Sequence, residues 1–123
     1  MYNLKFFNEK TKQYYVIYDI TIANTFRKRL IGLMWKRNFN GLLFKQKLSN
    51  KFNASIHTCF MKVPIDIIYV NEKNEIQELE KLAPWKLYIP KNGYIKYIIE
   101  LPENSIKNYE LEKGVKVVVE YEK

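Results

Sequence analysis

One short segment, from Ser55 to Asp66, holds most of the side chains that could carry chemistry. It contains the only histidine, His57, and the only cysteine, Cys59, with Met61 two residues further on. In an extended strand these three side chains project to the same face, and imidazole, thiolate and thioether ligands together suit Cu(I). Alternate strand residues stand roughly 7 Å apart, too far for easy chelation without a bulge. We therefore predict no metal site and no cofactor.

The same segment could supply a cysteine nucleophile. A thiolate needs a base within about 3 Å that a third group orients. His57 could be that base, and Asp66 could orient it across the turn at Pro64. The spacing of His57 and Cys59 does not impose a contact, and no oxyanion hole is evident. We assign no catalytic residue and keep an enzyme with a site around His57, Cys59 and Asp66 as an alternative. If Asp66 is buried, it needs a hydrogen bond or a cation, for which an arginine between residues 27 and 37 would serve.

Short alternating or apolar runs predict strands along most of the chain, at 4–7, 14–22, 42–45, 54–61, 65–70, 76–82, 94–101 and 115–121. The polar segment 71–75 predicts a hairpin loop, and residues 102–109 have room for one helical turn. A longer helix is expected at 25–36, with an apolar stripe facing the core. The expected fold is mainly β: an antiparallel β-sandwich or distorted barrel with one α-helix near residues 25–36.

The length of 123 residues predicts a single domain over 1–123. No apolar run approaches the length of a membrane span, and the N-terminal residues do not resemble a signal peptide. We therefore expect a cytoplasmic protein with no membrane insertion. A single cysteine also excludes an internal disulfide framework.

The net positive charge is concentrated in about one third of the chain. The net charge is +8, and the interval between Asp19 and Asp66 holds nine lysines and arginines and no acidic residue. Such a stretch favours an anionic ligand or surface, although a solvated face accounts for it as well. No motif of a nucleic-acid module is present, so nucleic acid is not a predicted partner.

The start of the expected helix carries cations where helices usually carry acids. Arg27, Lys28 and Arg29 stand at an end that the unpaired amides and the helix dipole already make positive. We predict a weak anion site formed by the helix start, Lys28 and Arg29, with Lys36 beside it. Trp85 stands at a strand end, where it could floor a ligand pocket or cover the core. The ligand-binding candidates are Arg29, Lys28, Lys36, His57, Met61, Asp66 and Trp85.

Three ordered blocks resemble a known family. Residues 23–34 look like its A-x-T…R-x-x-G-L-M block, and residues 60–70 look like its aromatic-M-(K/R)-x-x-P-(L/I)-D-I-I-(F/Y) block. Residues 99–102 with Gly114 look like its E-L-P…G ending. These blocks, which lie within about residues 20–118, are similar to domain-of-unknown-function family 192, and residues 55–58 look like its archaeal members.

The resemblance implies a mainly β sandwich with one helix and no established activity. Two positions depart from the family pattern: Asn104 replaces a usual glycine, and Val115 replaces a common aspartate. The expected function is a binding module for an anionic ligand or surface, and the expected partner is an anionic small molecule or polyanion. A small enzyme and a protein–protein interaction module are the alternatives.

Overall fold

The structure, a computed structural model, describes residues 2–22, 41–45, 55–58 and 63–121, and these form nine strands and one helical turn. In chain order they are β1 (Tyr2–Asn8), β2 (Gln13–Ile22), β3 (Leu42–Lys45), β4 (Ile56–His57), β5 (Ile65–Asn71), β6 (Ile76–Leu82), β7 (Leu87–Tyr88), β8 (Ile95–Pro102), α1 (Ser105–Asn108) and β9 (Lys116–Tyr121). The mainly β prediction is confirmed. The helix expected at 25–36 lies outside the described residues.

Seven of these strands form one sheet in the order β6-β5-β8-β3-β2-β1-β9, and β4 pairs with β7 separately. All pairs in the large sheet are antiparallel except β2 and β3, which run parallel. Residues 23–41 separate those two strands, a length that the crossover between parallel neighbours requires. The sheet is therefore mixed, where the sequence predicted an antiparallel one.

Hydrogen bonds join the start of the first strand in this order, β6, to the start of the last, β9, through the residues that flank them, so the sheet closes on itself at one end. Glu75, next to β6, bridges Lys116 at the start of β9. The Ile76 amide donates to the Val115 carbonyl at 2.9 Å, and the Val117 amide donates to the Asn74 carbonyl at 2.8 Å. Of the two predicted arrangements, this closure matches the distorted barrel.

The apolar side chains form two clusters on opposite faces of the sheet. Alternation along β5 sends Ile68 and Val70 to one face and Ile65, Ile67 and Tyr69 to the other. The inner cluster fills the barrel and consists of Leu4, Phe6, Ile17, Ile20, Leu43, Ile68, Val70, Ile76, Ile99, Leu101, Leu111, Val115 and Val117. The outer cluster consists of Leu42, Phe44, Ile56, Ile65, Ile67, Tyr69, Leu82, Ile95 and Ile98.

Local turn chemistry agrees with the predicted hairpin between β5 and β6. The side-chain oxygen of Asn71 accepts the backbone amides of Lys73 at 2.9 Å and Glu75 at 3.1 Å. This Asx-type turn reverses the chain and sets the register of the two strands.

A tight approach of the backbone at Gly41, before β3, leads to the first prediction. A Cβ at Gly41 would lie 2.8 Å from both Ile20 Cδ1 and Leu101 Cδ2, and φ is +155°. At Gly114, φ is +89° but nothing lies within 4 Å of such a Cβ. We expect Gly41→Ala to lower the free energy of unfolding by about 1–3 kcal/mol more than Gly114→Ala. Urea unfolding measures both variants, and equal losses would contradict the packing at Gly41.

Candidate functional site

Asp66 is a buried carboxylate at the start of β5. It pairs with Lys81 on β6 and Leu101 on β8, and its side chain is 1% exposed. Its Oδ2 accepts the backbone amide of Ile106 at 2.8 Å, from 40 residues away in the sequence. The first amides of a helix have no partners within the helix. Asn104, which precedes α1, makes no side-chain cap, so Asp66 caps this helical turn from the neighbouring strand.

The surroundings of Asp66 favour its neutral form. Burial raises the pKa of the carboxyl, while the amide of Ile106, the charge of Lys81 and the amide of Asn104 lower the pKa only in part. Lys81 is turned outward, because its ammonium contacts Glu103 at 2.9 Å and Asn104 at 3.3 Å. Among the described residues, Asp66 Oδ1 has no hydrogen-bond partner.

The structure does not bring Asp66 and the β4 segment together. Asp66 alternates with Ile65 and Ile67, so it projects from the inner face of the sheet. Ile56 of β4 packs in the outer cluster, on the opposite face. Orientation of His57 by Asp66, on which the enzyme hypothesis partly rests, therefore gains no support from the placement of these strands.

Several of the candidate residues fall outside the described part of the chain. Arg29, Lys28, Lys36, Cys59 and Met61 lie there, and of His57 only the backbone is described, paired with Leu87. The anion site at the helix start therefore stays a prediction, as does the absence of a metal site.

Thr58 joins β4 to the turn that carries Trp85. Its side chain is fully buried, and its hydroxyl contacts the carbonyl of Ala83 and accepts the amide of Lys86 at 2.9 Å. The backbone of Thr58 bonds the same turn twice, to the Lys86 carbonyl at 2.8 Å and the Trp85 amide at 2.9 Å. Trp85 itself projects outward with 60% of its surface exposed, so it does not cover the core.

Glu78 is a buried acidic residue that the sequence analysis did not single out. It stands opposite Tyr69 on the outer face of β6. One carboxylate oxygen accepts the hydroxyl of Tyr88, and the other accepts the amide of Lys91 at 3.0 Å. Burial and the carboxylate of Glu78 together raise the pKa of the Tyr88 hydroxyl. Glu78 thus fastens the segment after β6 to the sheet.

Glu100 is the second buried glutamate on the same face. It is 0% exposed on β8, between Ile67 of β5 and Leu42 of β3. Its signal in the sequence is a glutamate at a core position of an apolar strand, directly before Leu101 in the E-L-P block. A buried carboxylate in such a position needs polar surroundings, so this position is one that the sequence alone could have marked.

A groove opens beside the seam where the barrel closes. Its volume is about 430 Å³, and it is lined by Lys73, Asn74, Lys96, Tyr97, Lys116, Val117, Val118 and Val119. The ammonium of Lys96 donates to Asn74 Oδ1 at 2.9 Å and lies 5.3 Å from the centre of the Tyr97 ring. Lys116 forms an exposed ion pair with Glu9 at 2.8 Å. None of the lining residues is acidic.

The sequence matches the family described as Uncharacterized ACR, domain-of-unknown-function family 192, over residues 7–119. The chain belongs to this family. A UPF0127 protein of Pyrococcus furiosus is 38% identical over 96 residues, which cover 78% of this chain and 82% of the relative. A UPF0127 protein of Thermococcus sibiricus is 40% identical over 104 residues, covering 84% of this chain and 67% of the relative. Both relatives are archaeal, in agreement with the resemblance of residues 55–58 to archaeal members of the family.

Two crystal structures share the fold of this family 192 chain. One is of a protein from Novosphingobium aromaticivorans described as of unknown function, with a TM-score of 0.80 at 16% identity, covering 94% of this chain and 83% of that one. The other is of a proposed transcription regulator from Sinorhizobium meliloti, with a TM-score of 0.82 at 15% identity, covering 96% and 92%. At these identities the likeness concerns the fold alone.

The placement of two family 192 motif blocks indicates a structural role for Asp66. The central block contributes Asp66 and the E-L-P block contributes Leu101, which pair across β5 and β8. The helical turn that Asp66 caps begins directly after this block. At Asp66 the motif therefore stabilises the fold.

Among the described residues, no helix is long and apolar enough to cross a membrane.

The raised pKa of Asp66 leads to a pH-dependent prediction. Asp66→Asn keeps an oxygen for the Ile106 amide but removes the charge. Because the folded state disfavours the ionised carboxyl, the stability of the wild type relative to Asp66→Asn is greatest below about pH 4 and is lost as the pH rises through the folded-state pKa. Urea unfolding across this range measures the difference, and parallel pH profiles would contradict it.

The matched variant Asp66→Ala tests the cap itself. It removes the acceptor of the Ile106 amide, so we expect Asp66→Ala to be about 1–3 kcal/mol less stable than Asp66→Asn across the whole pH range. A loss that is no larger than that of Asp66→Asn would show that the hydrogen bond contributes little.

Proposed function

We propose that the protein is a small binding module for an anionic ligand, held in the groove at the barrel seam. The observation that carries this proposal is the set of three lysines, Lys73, Lys96 and Lys116, around one groove without an acidic lining residue. Lysines that line one concavity attract a carboxylate or phosphate. The volume of about 430 Å³ falls within the range of small-molecule sites.

The present contacts of these lysines are compatible with ligand capture. Lys96 is bonded to a neutral amide oxygen of Asn74, which an anion can replace. Lys116 is paired with Glu9, and both side chains are at least half exposed. Exposed ion pairs contribute little to stability because water screens them, so exchanging Glu9 for a ligand costs little. The net charge of +8 raises the local concentration of anions around the whole molecule.

The helix-start site predicted from the sequence is a second candidate for the same chemistry. Lys28, Arg29 and Lys36 supply the second one, and their contribution is a proposal on sequence grounds. We also propose that the protein is cytoplasmic. The lone cysteine supports this location, because it cannot form a disulfide within the chain.

A titration with inorganic phosphate at low salt tests the groove. Amide chemical shifts of Lys73, Lys96 and residues 116–119 are expected to move together and to saturate. We expect the triple variant Lys73→Gln/Lys96→Gln/Lys116→Gln to bind phosphate about tenfold more weakly, a change of ~1.4 kcal/mol. Retained affinity in this variant would contradict the proposal.

A charge-matched control separates a site from a general field. Lys10, Lys107 and Lys113 are exposed and lie outside the groove. Replacing these three by glutamine removes the same charge, and we expect it to change the affinity by less than about twofold. If the control weakens binding as much as the groove variant, the anion is attracted by net charge alone. The double variant Lys28→Glu/Arg29→Glu measures the helix-start contribution in the same way.

A further inference from the structure

One surface segment exposes an unusual amount of apolar side chain. Between β6 and β8, Trp85 is 60% exposed, Leu87 63%, Ile89 40% and Tyr94 69%. Leu87 and Ile89 alternate with Tyr88, which turns inward to Glu78. Single exposed apolar residues are ordinary, whereas several in one short segment indicate an interaction surface.

The backbone of this segment holds its two exposed aromatic residues in unfavourable conformations. Trp85 has φ of 62° and Tyr94 has φ of 60°, in the left-handed region that bulky residues seldom adopt. Such strain persists only where surrounding contacts enforce it, and it is concentrated at functional sites.

Those surrounding contacts are present beneath the segment. Thr58 bonds the turn at Trp85 through its hydroxyl and its backbone. Glu78 holds both the Tyr88 hydroxyl and the Lys91 amide. Gln77 donates to the carbonyl of Gly93 at 3.1 Å, directly before Tyr94. The segment is therefore fastened from the sheet side while its apolar side chains face outward, and such preorganisation lowers the cost of binding.

The charged residues of the segment between β6 and β8 are all positive. Lys86 and Lys91 are exposed among the apolar residues, and the chain carries no aspartate or glutamate between Glu80 and Glu100. We call the segment that exposes Trp85, Lys86, Leu87, Ile89, Lys91 and Tyr94 the aromatic loop.

We propose that the aromatic loop docks the protein onto the surface of an anionic lipid bilayer. Tryptophan and tyrosine are the residues enriched at membrane–water interfaces. Leu87 and Ile89 would enter the boundary of headgroups and acyl chains, and Lys86 and Lys91 would meet lipid phosphates, an attraction that adds up per lysine. The protein lies on the surface in this arrangement and does not span it.

The mixture of side chains favours lipid over the other classes of partner. Single-stranded nucleic acid binds by stacking bases on flat rings, which would leave Leu87 and Ile89 in water. Protein interfaces are depleted of lysine in their cores, yet Lys86 and Lys91 lie in the same short segment as the apolar residues. A bilayer accepts aliphatic, aromatic and cationic side chains together.

Co-sedimentation with vesicles tests the proposal. The wild type is expected to sediment with phosphatidylcholine vesicles that contain about 30% phosphatidylglycerol and to bind pure phosphatidylcholine at least about tenfold less, because the lysines need anionic lipid. The double variant Trp85→Asn/Leu87→Gln should lose about tenfold in partitioning. Asparagine tolerates the left-handed φ at position 85, so this variant keeps the turn.

Two controls make the outcome decisive. Tyr14 and Tyr18 are 57% and 61% exposed on β2, and Tyr14→Gln/Tyr18→Gln removes a comparable aromatic area outside the loop. This variant is expected to bind as the wild type does, and circular dichroism checks that both variants are folded. The triple groove variant and its charge-matched control are expected to bind vesicles equally, which separates this proposal from the anion groove. Equal binding to neutral and anionic vesicles would overturn the proposal. Unchanged binding by Trp85→Asn/Leu87→Gln would do the same, as would loop-dependent binding to a single-stranded oligonucleotide in place of vesicles.

Discussion

Because Ile65, Ile67 and Tyr69 pack outward while Ile68 and Val70 pack inward, β5 has no face in contact with water. It lies between β6 and β8, and both pairings run along nearly its whole length. A strand buried on both faces needs layers on either side of the sheet. The barrel interior supplies one layer, and the outer cluster that includes Ile56 of β4 supplies the other. The aromatic loop and the barrel seam are positioned by this two-layered arrangement.

Placing a carboxylate in such a strand is costly unless hydrogen bonds offset the loss of water. At Asp66 the compensating hydrogen bond comes from α1, whose first amides have no partner within the helix. One hydrogen bond therefore satisfies both the buried carboxylate and an unpaired helix amide. The raised pKa shows that this compensation is incomplete. Glu78 differs, since both of its carboxylate oxygens accept hydrogen bonds from the segment between β6 and β8. One buried acid thus stabilises the fold, and the other shapes a surface.

Local signals in the sequence were sufficient for much of the fold. Alternation and apolar runs predict β2, β5, β6 and β8. The polar segment 71–75 predicts the hairpin between β5 and β6. The closure between residues 74–76 and 114–117 depends on pairing between distant segments, which no local period encodes. The parallel pairing of β2 with β3 is likewise non-local, since it requires the long connection between them. For this reason the local patterns are compatible with both a sandwich and a barrel.

The candidate surfaces were harder to foresee than the strands, for a related reason. Lys73, Lys96 and Lys116 are each separated by about twenty residues, so only the closed sheet gathers them around one groove. Trp85 could equally have covered the core, because its exposure is decided by the bonds from Thr58 that turn the chain there. Glycine or asparagine would relax the backbone at Trp85 and Tyr94, and neither position has one. Hydrogen bonds from buried residues on the sheet side offset the conformational cost of keeping two large rings there. Residues on the outer face of β6 therefore help to determine which side chains the protein exposes in this segment.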